Sequence, residues 1–220
     1  MQLTIKTKEY AVVDGFVPDD LWRLIWEGLG HEQMAVAPVI GQYTKEWGFD
    51  GSMGWSSPPN YLSDYNKGKL NYASALGTQF MELAKQLPDL VGDGWNDIRV
   101  HAHVFGRGTR LYWHYDKHSL GSFAWYAHPE WRHNWGGEIL VASEVPKHDD
   151  LLNPPPRHLD RQFENDLLVN GIGTYLAPLP NRCILTAPGL FHSVNRVDPD
   201  AGDALRVSVV GFLVKNKKEN

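Results

Sequence analysis

His114 and Asp116 stand two residues apart. On a strand, positions i and i+2 face the same side, so both side chains can reach one ion. A third ligand has to come from elsewhere. His192 is the best placed, because it opens a strand-like stretch after the turn-rich Ala187-Pro188-Gly189. Two imidazoles and one carboxylate on one side of an ion leave three positions open. That donor set suits iron(II) when a cosubstrate and O2 must both bind the metal. An isolated His-x-Asp triplet arises often by chance, so its company decides its meaning. The histidines at 101, 103, 118, 128, 133, 148 and 158 read as surface, core or supporting residues.

That company is Arg206 and Ser208, inside the apolar stretch Leu205–Val214. Leu205, Val207 and Val209 alternate with them, so the guanidinium and the hydroxyl share one face of a strand. A charged residue in such a strand is costly unless paired. A guanidinium fork beside a hydroxyl suits a buried carboxylate of a ligand. The structural alternative is an Arg–Asp pair within the protein.

Several elements must position these groups. Tyr10–Val13 reads as a strand and Asp14-Gly15 as a turn. Pro18-Asp19-Asp20 opens a helix carrying Leu21, Leu24, Ile25 and Leu29 at helical spacing, with Gly28 and Gly30 marking its end. Residues 31–66 read as irregular, with a short strand near Val36–Tyr43. A second helix is expected over Lys69–Leu87, on the recurrence of Leu70, Ala73, Leu76, Phe80, Leu83 and Leu87, and Pro88 stops it. From Asn96 the period becomes two. Ile98, Val100, Ala102 and Val104 alternate with Arg99, His101, His103 and Phe105. Further strands are expected at Leu111–Tyr115, Glu138–Ala142, Gly173–Leu176, Cys183–Thr186, His192–Val197 and Leu205–Val214. Many short strands without helices between them imply a mainly β fold with flanking helices, a double-stranded β-helix or jelly roll. Residues 1–220 read as one domain, with a helical N-terminal support over about 1–95 and the jelly-roll core over about 96–214. Ser143–Gly171, charged and containing Pro154-Pro155-Pro156, reads as a long loop or lid.

Hydrophobic residues make up 42% of the 220 and charged residues 21%, which is ordinary for a globular protein. The net charge of −5 and the lack of a Lys/Arg stripe argue against nucleic acid as a partner. No apolar run is long enough to span a bilayer. With Cys183 as the single cysteine and no signal-peptide pattern at the N-terminus, the cytoplasm is the expected location. The sequence leaves the oligomeric state open.

Taken together, the motifs resemble the iron(II)/2-oxoglutarate dioxygenases, and within them the prolyl-4-hydroxylase-like branch. The resemblance runs over almost the whole chain. It comprises Val12-Val13-Asp14-Gly15-Phe16-Val17-Pro18-Asp19, Phe105-Gly106-Arg107-Gly108, His114-Tyr115-Asp116, Trp135-Gly136-Gly137-Glu138-Ile139-Leu140, Pro180-Asn181-Arg182-Cys183-Ile184-Leu185, His192-Ser193-Val194 and Arg206-Val207-Ser208. It implies that His114, Asp116 and His192 ligate iron(II), with O2 and 2-oxoglutarate as co-reactants. It also implies that Arg206 meets the 2-oxoglutarate C5 carboxylate, with Ser208 assisting. Two departures matter. Phe105 stands where the family usually has Tyr, so a hydroxyl contact to the cosubstrate is absent or comes from Tyr112 or His103. Arg206 replaces the Lys common in collagen-type prolyl hydroxylases, so their peptide substrate does not carry over.

The expected reaction is oxidation of a C–H bond in a small molecule, by hydroxylation, desaturation or cyclisation, with release of succinate and CO2. A free amino acid or a natural-product intermediate is the expected substrate. A peptidyl side chain is the alternative. Halogenases of the same superfamily lack the carboxylate ligand that Asp116 provides, and the demethylases carry a second Arg where this chain has Phe212. A cupin-like metal-binding or isomerase domain would explain the triad but not Arg206. A non-catalytic binding module needs neither open metal positions nor an anion clamp. Substrate contacts are expected from loops at the open end of the barrel. One is the aromatic stretch Tyr43–Tyr65, with Trp47, Trp55 and Tyr61. The other is the 143–171 segment, where Arg157, His158 and Arg161 could hold a carboxylate. Trp113, Tyr115 and Trp135 are the expected pocket walls.

Overall fold

The computed structural model describes residues 1–29, 35–36, 54–57, 60–62, 72–116, 119–143, 161–169 and 171–215. Its strands are β1 (Gln2–Lys6), β2 (Tyr10–Asp14), β3 (Ala35–Val36), β4 (Gly54–Ser56), β5 (Asn60–Tyr61), β6 (Asp97–Phe105), β7 (Leu111–His114), β8 (Ser122–Tyr126), β9 (Ile139–Ala142), β10 (Gly173–Leu176), β11 (Cys183–Thr186), β12 (His192–Val194) and β13 (Arg206–Val214). The helices are α1 (Asp19–Leu29), α2 (Tyr72–Gln86) and α3 (Arg161–Val169).

Among the described residues the strands form two antiparallel sheets. The major sheet runs β1-β2-β11-β8-β13-β6-β4-β3, with β5 also beside β6, and the minor sheet runs β10-β9-β12-β7. This is the mainly β, jelly-roll architecture that the spacing implies.

The period of two gives each major-sheet strand two different faces. Ile98, Val100, Ala102 and Val104 of β6, with Val207, Val209 and Leu213 of β13, point outward. There they pack with Leu76, Phe80, Leu83 and Leu87 from α2 and its end, and with Ile25 and Leu29 of α1. Phe80 is the centre of this layer, stacked on Phe16 at 5.4 Å and on Phe123 at 4.8 Å. A second apolar cluster fills part of the space between the sheets. It brings Val12, Tyr126 and Ile184 of the major sheet against Ile139, Val141, Leu176 and Val194 of the minor one.

Most expected strands end within a residue or two of their observed limits, though the stretch expected as His192–Val197 pairs only over β12. The exceptions have physical reasons. β1 alternates polar and apolar residues over Gln2-Leu3-Thr4-Ile5-Lys6, yet it is exposed along its whole length, so the alternation buries neither face. β8 has almost every residue buried, so it too lacks a period of two. Leu24 of α1, at a helical core spacing, is 61% exposed, and Gly28 lies inside the helix rather than ending it. The 143–171 segment, expected as a loop or lid, contains helix α3, while 144–160 and 170 lie outside the described residues. Of the strand expected near Val36–Tyr43, the structure describes only its start, in β3, and residues 69–71 of the second helix are likewise outside.

Phe80 has no exposed surface. Phe80→Ala therefore removes the ring joining α2 to the major sheet and is expected to cost about 3–5 kcal/mol. Urea unfolding followed by Trp fluorescence measures it. A loss under about 1 kcal/mol would show that the helical layer is not a shared core with the sheet.

Candidate active site

The two sheets face each other across the second core cluster, and on one side of that space the filling changes from apolar to polar. On β6 the inward set is Arg99, His101, His103 and Phe105, since the alternate residues belong to the outer core. Across β13 these pair in register with Phe212, Val210, Ser208 and Arg206. Directly opposed residues of an antiparallel pair point to the same face. One stripe of the inner face therefore carries two guanidiniums, two imidazoles and a hydroxyl.

The minor sheet supplies the opposing residues. His114 of β7 and His192 of β12 are cross-strand partners, with ring centroids 4.4 Å apart. Asp116 follows just past the end of β7. Its carboxylate oxygens lie 3.6 Å from His114 Nε2 and 3.9 Å from His192 Nε2. The three ligand atoms lie within 4.8 Å of one another, the grouping a single metal ion requires. The expected triad is thus brought together by pairing between strands far apart in sequence.

Both rings are set for a metal. His114 Nδ1 is 2.7 Å from the Tyr112 carbonyl, and His192 Nδ1 is 2.9 Å from the Leu190 carbonyl. A carbonyl only accepts, so each Nδ1 holds the proton and each Nε2 keeps its lone pair toward Asp116. Such backbone contacts fix the tautomer and orientation of ligating histidines.

Arg206 is 2% exposed and Ser208 equally buried. The guanidinium donates to the Gly137 carbonyl (2.7 Å), to Ser208 Oγ (3.2 Å) and to Tyr126 Oη (3.4 Å). It also stands over the rings of Tyr126 and Phe105, at 4.9 and 5.5 Å. Among the described residues no carboxylate forms an ion pair with it, so the internal Arg–Asp pair is not what holds it. Burial lowers its pKa, while Tyr126 and the more distant Glu138 act in the opposite sense. Gly137 matters to this seat. Its φ is +76°, and a Cβ there would lie 2.7 Å from Arg206 Cδ.

His103 lies between the two groups of residues. Burial pushes its pKa to about 4, with Arg206 adding to the fall and Asp116 opposing it. His101 shares a 3.0 Å Nε2–Nε2 contact with it and is also held well below its ordinary value, chiefly by burial. The Nδ1 atoms of both rings and the Tyr112 hydroxyl are buried without a hydrogen-bond partner among the described residues. A buried polar atom left so is costly. Orphaned polar atoms beside an uncompensated guanidinium and a metal-ready triad fit a polar ligand that binds metal at one end and carries a carboxylate at the other.

The expected pocket walls separate. Tyr115 packs on Phe191 at 4.9 Å, next to His192. Trp113 stacks on Phe191 at 5.2 Å and lines a cavity of about 240 Å³ with Leu140, Leu167 and Tyr175, which none of the three ligands lines. Trp135 stands at the Arg206 end, edge-on to Trp131 at 5.3 Å, because the positive-φ Gly136-Gly137 turn carries it there. Tyr61 pairs in register with Arg99. Trp47, Arg157 and His158 lie outside the described residues, and Trp55 and Arg161 are described only in their backbone. Sequence reasoning missed Tyr126, which no motif marks, and the seat that Gly137 provides, which a Gly-Gly pair before a strand does signal.

No family model matches the sequence, and no curated protein does. Solved structures do. A prolyl-4-hydroxylase from Pseudomonas putida is 14% identical, with a TM-score of 0.57 over 95% of this chain and 94% of that one. An oxidoreductase of the 2OG-Fe(II) oxygenase family from Burkholderia pseudomallei is 10% identical, with a TM-score of 0.53 over 99% and 95%. HygX from Streptomyces hygroscopicus, solved with nickel and 2-oxoglutarate, is 13% identical, with a TM-score of 0.56 over 94% and 83%. At these identities the likeness is one of fold: the chain has the jelly-roll fold of the 2-oxoglutarate/iron(II) oxygenases, prolyl-4-hydroxylase-like members among them, as its motifs imply.

Proposed function

We propose that the protein is an iron(II)- and 2-oxoglutarate-dependent oxygenase acting on a C–H bond of a small molecule. The observation that carries this reading is Arg206: a guanidinium buried between two sheets, with no carboxylate ion-paired to it among the described residues, on the wall opposite a two-histidine, one-carboxylate cluster. A cupin-like metal-binding domain has no use for that cation.

In this reading His114, Asp116 and His192 hold the metal, and their backbone-fixed tautomers keep both Nε2 lone pairs available. Arg206 and Ser208 receive the distal carboxylate of 2-oxoglutarate, and Tyr126 and Gly137 fix the fork that meets it. His103, kept neutral by burial, would be one candidate for the polar contact to the cosubstrate that Phe105 cannot make, and Tyr112 the second. Bound iron(II) and 2-oxoglutarate together supply O2 activation, so that substrate, 2-oxoglutarate and O2 become hydroxylated substrate, succinate and CO2. The protein's own residues orient the reactants and exclude water. The small-molecule reading draws on HygX, which was also solved with hygromycin B bound. A prolyl hydroxylase from Trichoplax adhaerens was solved with a peptide fragment, so a substrate screen should contain both classes.

Two outcomes follow. Wild-type protein loaded anaerobically with iron(II) and then given O2 should convert 2-oxoglutarate to succinate. His114→Ala and His192→Ala should each lose both bound iron and that conversion. No succinate from iron-loaded wild type would sink the oxygenase reading and favour the cupin-like one.

Arg206→Ala should keep its iron and raise the KM for 2-oxoglutarate. Losing a buried charge-assisted contact costs about 2–5 kcal/mol, or roughly 30- to several-thousand-fold. Gly137→Ala, whose new Cβ must displace Arg206, should shift the same constant the same way by about tenfold or more. A KM left unmoved by Arg206→Ala would remove that residue from the cosubstrate site.

A further inference from the structure

The inner face of β6 continues past the residues assigned above. Beyond His103 come His101 and then Arg99, each on the same face. At about 3.3 Å per residue, the Arg99 backbone stands about 13 Å along the strand from His103, on the far side from Arg206. Arg99 pairs in register with Phe212 on one neighbour and with Tyr61 on the other. Its guanidinium carbon lies 4.8 Å above the centre of the Phe212 ring. His101 stacks on Phe212 at 5.4 Å with its ring nearly parallel.

This is a built seat for a cation. Phe212 gives the guanidinium a flat platform, and stacking holds the fork without using its N–H edge. Among the described residues no carboxylate pairs with Arg99, and its Nε is buried with no hydrogen-bond partner. The side chain is only partly buried, so its edge remains within reach of a ligand entering between the sheets.

We propose that Arg99, held on Phe212, anchors a carboxylate of the substrate and so sets which C–H bond is presented to the metal centre. The proposal rests on the oxygenase reading and names its substrate class: a small monocarboxylic acid bound at the far end of the polar stripe from Arg206. A planar fork accepts a carboxylate through two parallel hydrogen bonds. One guanidinium also matches the single charge of a carboxylate, whereas a phosphate monoester brings close to two. The rest of such a substrate would extend back along the stripe, placing the oxidised carbon between the anchored carboxylate and the triad.

The test uses the protein loaded with iron(II) and saturated with 2-oxoglutarate under nitrogen. The probes are L-amino acids and short-chain carboxylic acids, each beside its own primary amide, titrated by calorimetry. The best acid should bind about 10- to 100-fold more tightly than its amide. Arg99→Gln should collapse that ratio to near one, and Arg99→Lys, which keeps the charge but not the fork, should retain part of it. Both variants should keep wild-type iron content and 2-oxoglutarate affinity, a pattern that a merely structural role would not give. An amide bound as well as its acid by wild type would overturn the proposal. So would an acid preference that survives in Arg99→Gln, or a panel in which no acid binds. Titration of 2-oxoglutarate into the same proteins keeps the two readings apart. Its failure to bind wild type would sink the cosubstrate assignment, while the acid-to-amide ratio reports on Arg99 alone.

Discussion

A guanidinium in the dry space between two sheets is the group on which the rest of this structure depends. Removing a full charge from water costs several kcal/mol even after the surroundings relax. The described residues in direct contact with Arg206 are neutral: a carbonyl from Gly137, hydroxyls from Ser208 and Tyr126, and the faces of Phe105 and Tyr126. A desolvated cation–π contact contributes on the order of 2 kcal/mol, and a hydrogen bond to a charged group about 1.5–3. Contacts of this size can hold the cation in place, and a carboxylate ligand would add the charged partner that no described residue provides by an ion pair. The geometry is correspondingly constrained. Gly137 must lack a side chain so that its carbonyl can approach, and its turn in turn sets where Trp131 and Trp135 stand.

The polar stripe exists because both faces of the major sheet are committed. Outward residues of β6 and β13 are held by the helical layer, so a shift of register by one residue would turn Arg206 and His103 into that apolar core. Inward, the apolar cluster fills the side of β2, β11, β9 and β10, leaving β6 and β13 to face the triad. His128 secures the start of β13 from within. Its Nδ1 accepts the Val207 N–H at 3.2 Å and its Nε2 donates to the Pro178 carbonyl at 2.8 Å, while burial keeps the ring neutral with a pKa of about 4. The backbone next to Arg206 is thereby tied to the loop before β11.

Much of this was legible in the sequence, and the reasons are local. Strands with one polar and one apolar face announce themselves by a period of two, as β6 and β13 do. His114 and Asp116 share a face by spacing, and Arg206 and Ser208 do so too. What lay beyond reach depends on pairing between distant segments. Nothing near Tyr126 says that its hydroxyl will meet Arg206, and nothing near Phe212 says that it will carry Arg99. β8 hides because it is buried on both faces, whereas β1 carries a polar–apolar alternation in Gln2–Lys6 that marks a strand without marking a buried face. Trp113 shows the limit of reading by neighbourhood. It adjoins a ligand in sequence, yet it stacks on Phe191 and lines a cavity shared with α3.

His103 and His101 separate the two guanidiniums of the stripe, and their contact has an electrostatic consequence. With Nε2 atoms 3.0 Å apart, one ring must donate and the other accept, so both cannot be protonated there. Burial drives each toward the neutral form, Arg206 pushing further on His103 and Arg99 on His101. On the stripe itself the fixed cations are therefore Arg206 and Arg99, and Asp116 of the triad is a fixed carboxylate close enough to act on His103. A bound divalent iron would add positive charge to the same space. The two carboxylates of 2-oxoglutarate and the proposed carboxylate of the substrate would each offset part of that charge, and more strongly than in water because the site has a low dielectric.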